Sequence, residues 1–302
     1  MKKIIANIAA SKRAKIENAA RAQGRRVELL LLLYMEERLL YRISQSAIAE
    51  KLILKGGLLL YSLFGQTARP TRDIDALATD LPIEPEKLVE VFGPICAMDF
   101  PDGVIFESDS VQAEVIREGA NYQGVRLSVN ATLGNAQNRI QLDIGFHDVV
   151  SPQARQMKYP VLLDDPAPVL SVYSLESMVA EKFEAMISLG AVNSRMKDFY
   201  DVAQLAKTYD FDGLLLSTAV SQTLRRRRTT CPDQPTVFAP DFASDSVRKS
   251  RWSAFLKSVA LAPTDFTQTM LLVQNFLGPV YEIHLQNKSI TQQWDSQARA
   301  WR

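Results

Sequence analysis

The sequence predicts an α+β protein: a small mixed or antiparallel sheet with helices on at least one face, followed by a mainly helical C-terminal domain. Three observations predict it. Residues 104–118, 122–132 and 138–147 have strand character and are separated by turn-prone segments at 118–121 and 133–135. From Ser174 almost to the end, apolar residues recur at helical spacing. Between these patterns, Pro152, Pro160, Pro166 and Pro168 mark a linker. The expected organisation is an N-terminal domain over residues 1–155 and a helical domain over residues 156–302.

The elements follow in order. Residues 1–51 read as helical, with Gly24 separating a polar helix from one rich in leucine and buried on most sides. The apolar piece Leu52-Ile-Leu-Lys55 runs into Gly56-Gly57, and residues 58–64 form a short helix stopped by Gly65. Residues 71–79 read as a strand, and a Pro-flanked turn opens a helix at about residues 84–97. The three strands of the sheet come next. Residues 232–240 hold three prolines and form a loop within the helical region.

Composition narrows the class. Apolar residues make up 47% and charged residues 23%, the balance of a soluble globular protein. A net charge of +1 leaves no global bias toward nucleic acid or anionic membrane, so any basic surface is local. The first ten residues faintly resemble a signal peptide, but Asn7 breaks the apolar stretch and a basic segment follows at once; the start of a helix is the better reading. The longest apolar run, residues 29–35, falls far short of a membrane span, and a cytoplasmic location is expected. Cys96 and Cys231 lack metal-ligand spacing and are expected as free thiols.

The chemistry-bearing residues centre on Arg69-Pro-Thr-Arg-Asp-Ile-Asp75. In a strand, Asp73 and Asp75 project to one side. Two carboxylates so placed can share hard divalent cations such as Mg2+ or Mn2+. Asp143, in Gln141-Leu-Asp-Ile144, sits among apolar neighbours in a strand that should be largely buried. An ionised carboxylate there needs a cation or donors, and it completes a three-carboxylate site if its strand lies beside the first. An exposed strand face would show the same Asp-x-Asp spacing. The Gly-Gly turn upstream favours the metal reading, because backbone N–H groups at a helix N-terminus cradle phosphate.

Two downstream helices carry further candidates. In residues 175–189, Leu175, Met178, Val179, Phe183 and Met186 form an apolar stripe, with Lys182 inside it and Ser177, Glu181, Glu184 and Ser188 on the polar face. Lys182 needs an anionic partner; triphosphate is one, and a structural Asp or an escape to solvent accounts for it equally. In residues 195–206, Asp198 and Asp201 share a face, and Arg195 and Lys197 could contact phosphates. Spacing alone favours an ordinary solvated, salt-bridged face there. The run Arg225–Arg228 could track an RNA backbone or simply end a solvated helix. His147 and His284 fall in different predicted domains and make no joint site.

In their order, Leu54-Lys-Gly-Gly57, the Asp73–Asp75 segment, Gln141-Leu-Asp-Ile144, Ala180-Glu-Lys-Phe-Glu-Ala185, Arg195-Met-Lys-Asp-Phe-Tyr-Asp201, Ser250-Arg-Trp-Ser-Ala-Phe-Leu256 and Phe276-Leu-Gly-Pro279 resemble the AbiEii family of nucleotidyltransferase toxins, in the polymerase-β-like superfamily. The resemblance implies a polymerase-β-like core and an enzyme that moves a nucleotide from an NTP to an acceptor hydroxyl with release of pyrophosphate. It implies metals at Asp73, Asp75 and Asp143, nucleotide contacts from Lys55, Gly56, Gly57, Arg69 and Thr71, and triphosphate positioning by Lys182, Arg195, Lys197, Asp198 and Asp201, with Lys182 and Asp198 also serving the chemistry. It further implies a toxin of a toxin–antitoxin or abortive-infection system, acting on the tRNA 3′ end and paired with an AbiEi-like winged-helix antitoxin. A protein or small-molecule acceptor, or a catalytically weak binding protein of the same fold, are the alternatives. One position departs from the superfamily pattern: Leu58 stands where Ser or Thr usually follows the glycine pair, so a hydroxyl contact to phosphate is missing.

Overall fold

In the computed structural model, residues 7–118 and 122–302 are described. The chain divides into two compact units, residues 1–147 with 155–172 and residues 148–154 with 173–302.

The first unit opens with α1 (Ile8–Gln23) and α2 (Val27–Ser44). Asn7 caps α1 by accepting from the Ala10 N–H, and Gly24 ends it in the left-handed conformation that glycine adopts without strain. Then come β1 (Leu52–Lys55), α3 (Gly56–Phe64), β2 (Ile74–Ala78) and α4 (Pro85–Cys96). Strands β3 (Val104–Phe106), β4 (Gln112–Glu118), β5 (Tyr122–Leu133), β6 (Ala136–Phe146), β7 (Arg155–Lys158) and β8 (Val169–Val172) complete it. The expected turn at 133–135 is present, with Gly134 at positive φ, whereas the core of the expected turn at 118–121 lies outside the described residues.

The sheet is mixed, in the order β3-β5-β6-β2-β1-β8-β7, with β4 also pairing β5. Strands β2 and β6 run parallel; β1–β2 and β5–β6 are antiparallel. The expected continuous strand 104–118 is two strands, β3 and β4, split by a 3-10 turn at Ser108–Ser110. Both pair with different stretches of the long β5. The proline-bearing segment expected to hold the domain boundary also contains β7 and β8, whose alternation is too short to stand out among four prolines.

Helix α2 packs against β5, β6 and β8. It is buried on most sides, as its leucines predict, but it also takes charges into the interior. Arg42 donates to Asp102 at 2.8 Å and to the carbonyls of Met98, Val104 and Arg38. Arg38 pairs with Glu37 at 2.6 Å, and Glu37 also accepts from the Leu162 N–H. Each of these charges has partners, as burial requires.

The second unit contains α5 (Leu175–Leu189), α6 (Met196–Thr208), α7 (Gly213–Arg226), α8 (Ser246–Ser258) and α9 (Phe266–Leu285). Ser174, Asp212, Asp245 and Asp265 cap four of them through side-chain oxygens. Its core is aromatic: Phe183, Phe199, Phe211, Phe242, Phe266 and Trp294 are buried. Each such side chain contributes about 1.5–3 kcal/mol by leaving water. Strands β9 (Phe211–Asp212), β10 (Gln293–Asp295) and β11 (Ala300–Trp301) form a small sheet that sequence periodicity missed, since two or three residues carry no readable alternation. Among the described residues no helix is long and apolar enough to cross a membrane.

Candidate active site

Strand alternation builds the site of the first unit. In β6, Ile140, Leu142, Ile144 and Phe146 are buried, while Asp143 lies on the opposite face. In β2, Ile74 and Ala76 are buried and Asp75 faces the other way. In β5, Val125, Leu127 and Val129 are buried around Arg126. Register does the rest. Lys55 pairs with Asp75 across β1–β2, Asp75 with Asp143 across β2–β6, and Asp143 with Arg126 across β6–β5. One row across four strands thus reads Lys, Asp, Asp, Arg.

Asp73 lies just outside β2, which is shorter than the expected strand 71–79. It nevertheless joins the row. One carboxylate oxygen each from Asp73, Asp75 and Asp143 lie within 4.8 Å of one another, and all three residues are half-buried. Thr71 donates to Asp73 at 2.9 Å, and the Gly57 N–H donates to Asp75 at 3.2 Å. Arg126 grips Asp143 with two bonds of 2.7 Å, Nε to Oδ1 and Nη2 to Oδ2. Those bonds hold Arg126 firmly protonated. Three carboxylates this close repel unless cations compensate them, and hard oxygen donors suit Mg2+ or Mn2+.

The glycine pair makes room for this arrangement. Gly56 has φ +64, and a Cβ there would lie 2.6 Å from the Asp75 Cβ and closer still to its carboxylate. A Cβ on Gly57 would lie 2.7 Å from the Thr71 Cβ. Both contacts are tighter than real side chains tolerate. Gly24 has nearly the same φ, +62, with open space around it. Gly56→Ala is therefore expected to reduce activity at least tenfold, beyond the roughly 1–2 kcal/mol that positive φ costs an alanine. Gly24→Ala should show that stability cost with activity intact; equal activity in the two variants would contradict the packing argument. Leu58 is buried in α3 and serves the core.

Sequence reasoning missed two groups. Arg126 left only the trace of a charge on a strand's polar face, and its meaning depends on a register that sequence does not reveal. Glu36 left a clearer trace, a carboxylate in the leucine-rich α2. It is fully buried, and neither of its oxygens has a hydrogen-bond partner among the described residues. Burial, reinforced by the charges of Asp73 and Asp75, raises its pKa well above the ordinary value of 4.5. The unfolded chain loses this proton near 4.5, while the folded protein keeps it to higher pH. Folding stability is therefore lost as pH rises above 4.5. Glu36→Gln removes the loss. We expect it to melt higher than wild type at pH 8, by roughly 2–4 °C per kcal/mol recovered, with the difference shrinking toward pH 5. A difference independent of pH would contradict a buried neutral carboxyl.

In the second unit, Lys182 finds its anionic partners on α6. Its Nζ donates to Asp201 at 2.7 Å and to Asp198 at 3.2 Å. Asp198 and Asp201 are buried, at 4% and 2% exposure, so the solvated face that spacing favours is corrected: these side chains sit inward around a lysine from α5. Arg195 lies 4.0 Å from Asp198, and Lys197 is exposed. Ser177 and Glu184 are also buried rather than on a polar face. Arg227 explains this in part, bonding Glu184 at 2.8 Å and Asp148 at 3.0 Å. The basic run at the end of α7 is thus neither fully solvated nor fully free for RNA. Cys96 and Cys231 are free thiols, and burial pushes that of Cys96 up to about 12.

Residues 38–276 match the family described as nucleotidyl transferase AbiEii toxin, Type IV TA system. The chain belongs to the AbiEii nucleotidyltransferase toxin family. It is accordingly a nucleotidyltransferase with an NTP as substrate, in a family that implies an antitoxin partner. Similar solved structures include MenT4, a nucleotidyltransferase toxin of Mycobacterium tuberculosis H37Rv, at 18% identity and a TM-score of 0.49 over 91% of this chain and 99% of that one. JHP933 of Helicobacter pylori follows at 16% identity and a TM-score of 0.46 over 86% of this chain and 92% of that one. No curated protein matches the sequence. In this AbiEii-family chain the carboxylate row sits inside the matched region, as do Lys182, Asp198 and Asp201.

Proposed function

We propose that this protein is a metal-dependent nucleotidyltransferase whose divalent cations, Mg2+ or Mn2+, are held by Asp73, Asp75 and Asp143, and whose acceptor is the 3′ end of tRNA. The observation that carries the metal reading is the cluster itself: three carboxylate oxygens within 4.8 Å, beside the interior strands β2 and β6 of a mixed sheet. Bound there, a divalent cation neutralises triphosphate and lowers the barrier for an attacking hydroxyl.

The chain's own groups complete the reading. Gly57 and Thr71 orient Asp75 and Asp73 through the bonds above. Lys55 and Arg69, with the backbone of Gly56 and Gly57 at the start of α3, favour the anionic phosphates. The acceptor oxygen forms its bond to the α-phosphorus as the bond from that phosphorus to the β-phosphate bridging oxygen breaks, and pyrophosphate leaves. The acceptor's proton passes to solvent. A winged-helix protein of the AbiEi type is the proposed antitoxin.

The test incubates the purified protein with each labelled NTP, Mg2+ and total cellular RNA. Label in tRNA that disappears with Asp75→Ala is expected. Label confined to protein would overturn the tRNA acceptor, and no label in any acceptor would overturn the activity.

A further inference from the structure

Arg126 and a divalent cation call on the same group. Its guanidinium engages both oxygens of Asp143 at 2.7 Å, and its side chain is one-third exposed while that of Asp143 is 12% exposed. A forked arginine uses one lone-pair site on each carboxylate oxygen and leaves the others. A cation bound to the cluster would therefore share Asp143 with a fixed positive charge across the carboxylate. That charge opposes a bare cation. It favours a cation that arrives with the negative charge of a nucleotide's phosphates.

We propose that Arg126 is a positioning residue that sets the cation affinity of the carboxylate cluster, keeping it weak for a bare divalent ion and tuned to one delivered with a nucleotide. The inference rests on the reading that Asp73, Asp75 and Asp143 bind metal. Two features of the structure favour it over a purely structural role. The pair is not sealed in the interior, where an ion pair would serve packing. It also ends a row in which Asp75 and Asp143 stand side by side, so the row is rich in acid where Arg126 meets it.

The experiment is a Mn2+ titration of the full-length protein without nucleotide, followed by electron paramagnetic resonance of the free ion. It uses wild type, Arg126→Met, Arg126→Lys and Asp75→Asn. Arg126→Met should bind Mn2+ at least about tenfold more tightly, the scale on which partners of metal ligands change affinity. Arg126→Lys keeps the charge and should stay within about threefold of wild type. A purely structural arginine predicts the reverse, because an Asp143 left loose would bind metal more weakly. Equal or weaker binding by Arg126→Met overturns the proposal, as does Arg126→Lys binding as tightly as Arg126→Met. Arg126→Gln carries the same expectation if the methionine variant does not fold, which circular dichroism reads. Failure of the underlying metal reading looks different: no protein in the series, Arg126→Met included, would show saturable Mn2+ binding, or Asp75→Asn would bind like wild type.

Discussion

Asp75→Asn should lower nucleotide transfer by more than about a hundredfold while the melting temperature stays the same or rises. Loss of a group that merely supports a metal ligand costs 10–100-fold in metal affinity, so neutralising a ligand costs more. The stability side follows from geometry. Asp75 shares a 4.8 Å cluster with Asp73 and Asp143, and asparagine removes one of three mutually repelling charges. The amide oxygen can still accept from the Gly57 N–H. Initial rates of labelled NTP incorporation, with melts in chelator, check both halves. A large fall in melting temperature would mean that Asp75 is a structural carboxylate whose negative charge the fold requires.

The second large effect lies in the other unit. Lys182→Ala should destabilise the protein by about 3–5 kcal/mol, because it removes the ammonium that donates to two buried carboxylates, Asp198 and Asp201. Breaking one side of a buried ion pair costs more than removing all of it. Lys182→Met combined with Asp198→Asn and Asp201→Asn should therefore recover much of the loss. Thermal or urea melts decide the matter. A Lys182→Ala melt equal to wild type would show that the lysine does not hold these carboxylates. This expectation also changes how an inactive Lys182 variant should be interpreted, since lost activity in it follows from instability unless the melt is intact.

How much of this was legible in the sequence depends on the length scale of each signal. The leucines of α2 and the stripe of α5 gave their helices because periodicity over three or more turns is a strong signal. Asp75 stands out through its Asp-x-Asp spacing with Asp73, and Asp143 because apolar strand residues flank it; β6 does lie beside β2. What escaped was pairing. Arg126 meets Asp143 only through the register of β5 on β6, and Lys182 meets Asp198 and Asp201 only through the packing of α5 on α6. Polar residues on a helix read as solvent-facing, yet Glu184 and Ser177 are buried because partners from other segments satisfy them. The sequence suggests Gly56-Gly57 as a phosphate cradle; what the structure shows is that they leave space for Asp75 and Thr71. The small sheet of β9, β10 and β11 joins segments about eighty residues apart through strands too short to announce themselves.

Asp73, Asp75 and Asp143 are proposed to form a divalent-cation centre serving a bound NTP. Diffraction at the manganese edge from crystals holding Mn2+ and a non-hydrolysable NTP analogue tests it most directly. An anomalous peak is expected about 2.1 Å from oxygens of these three carboxylates and bonded to the triphosphate. An analogue bound with its Mn2+ elsewhere, and no peak at the cluster, would contradict it.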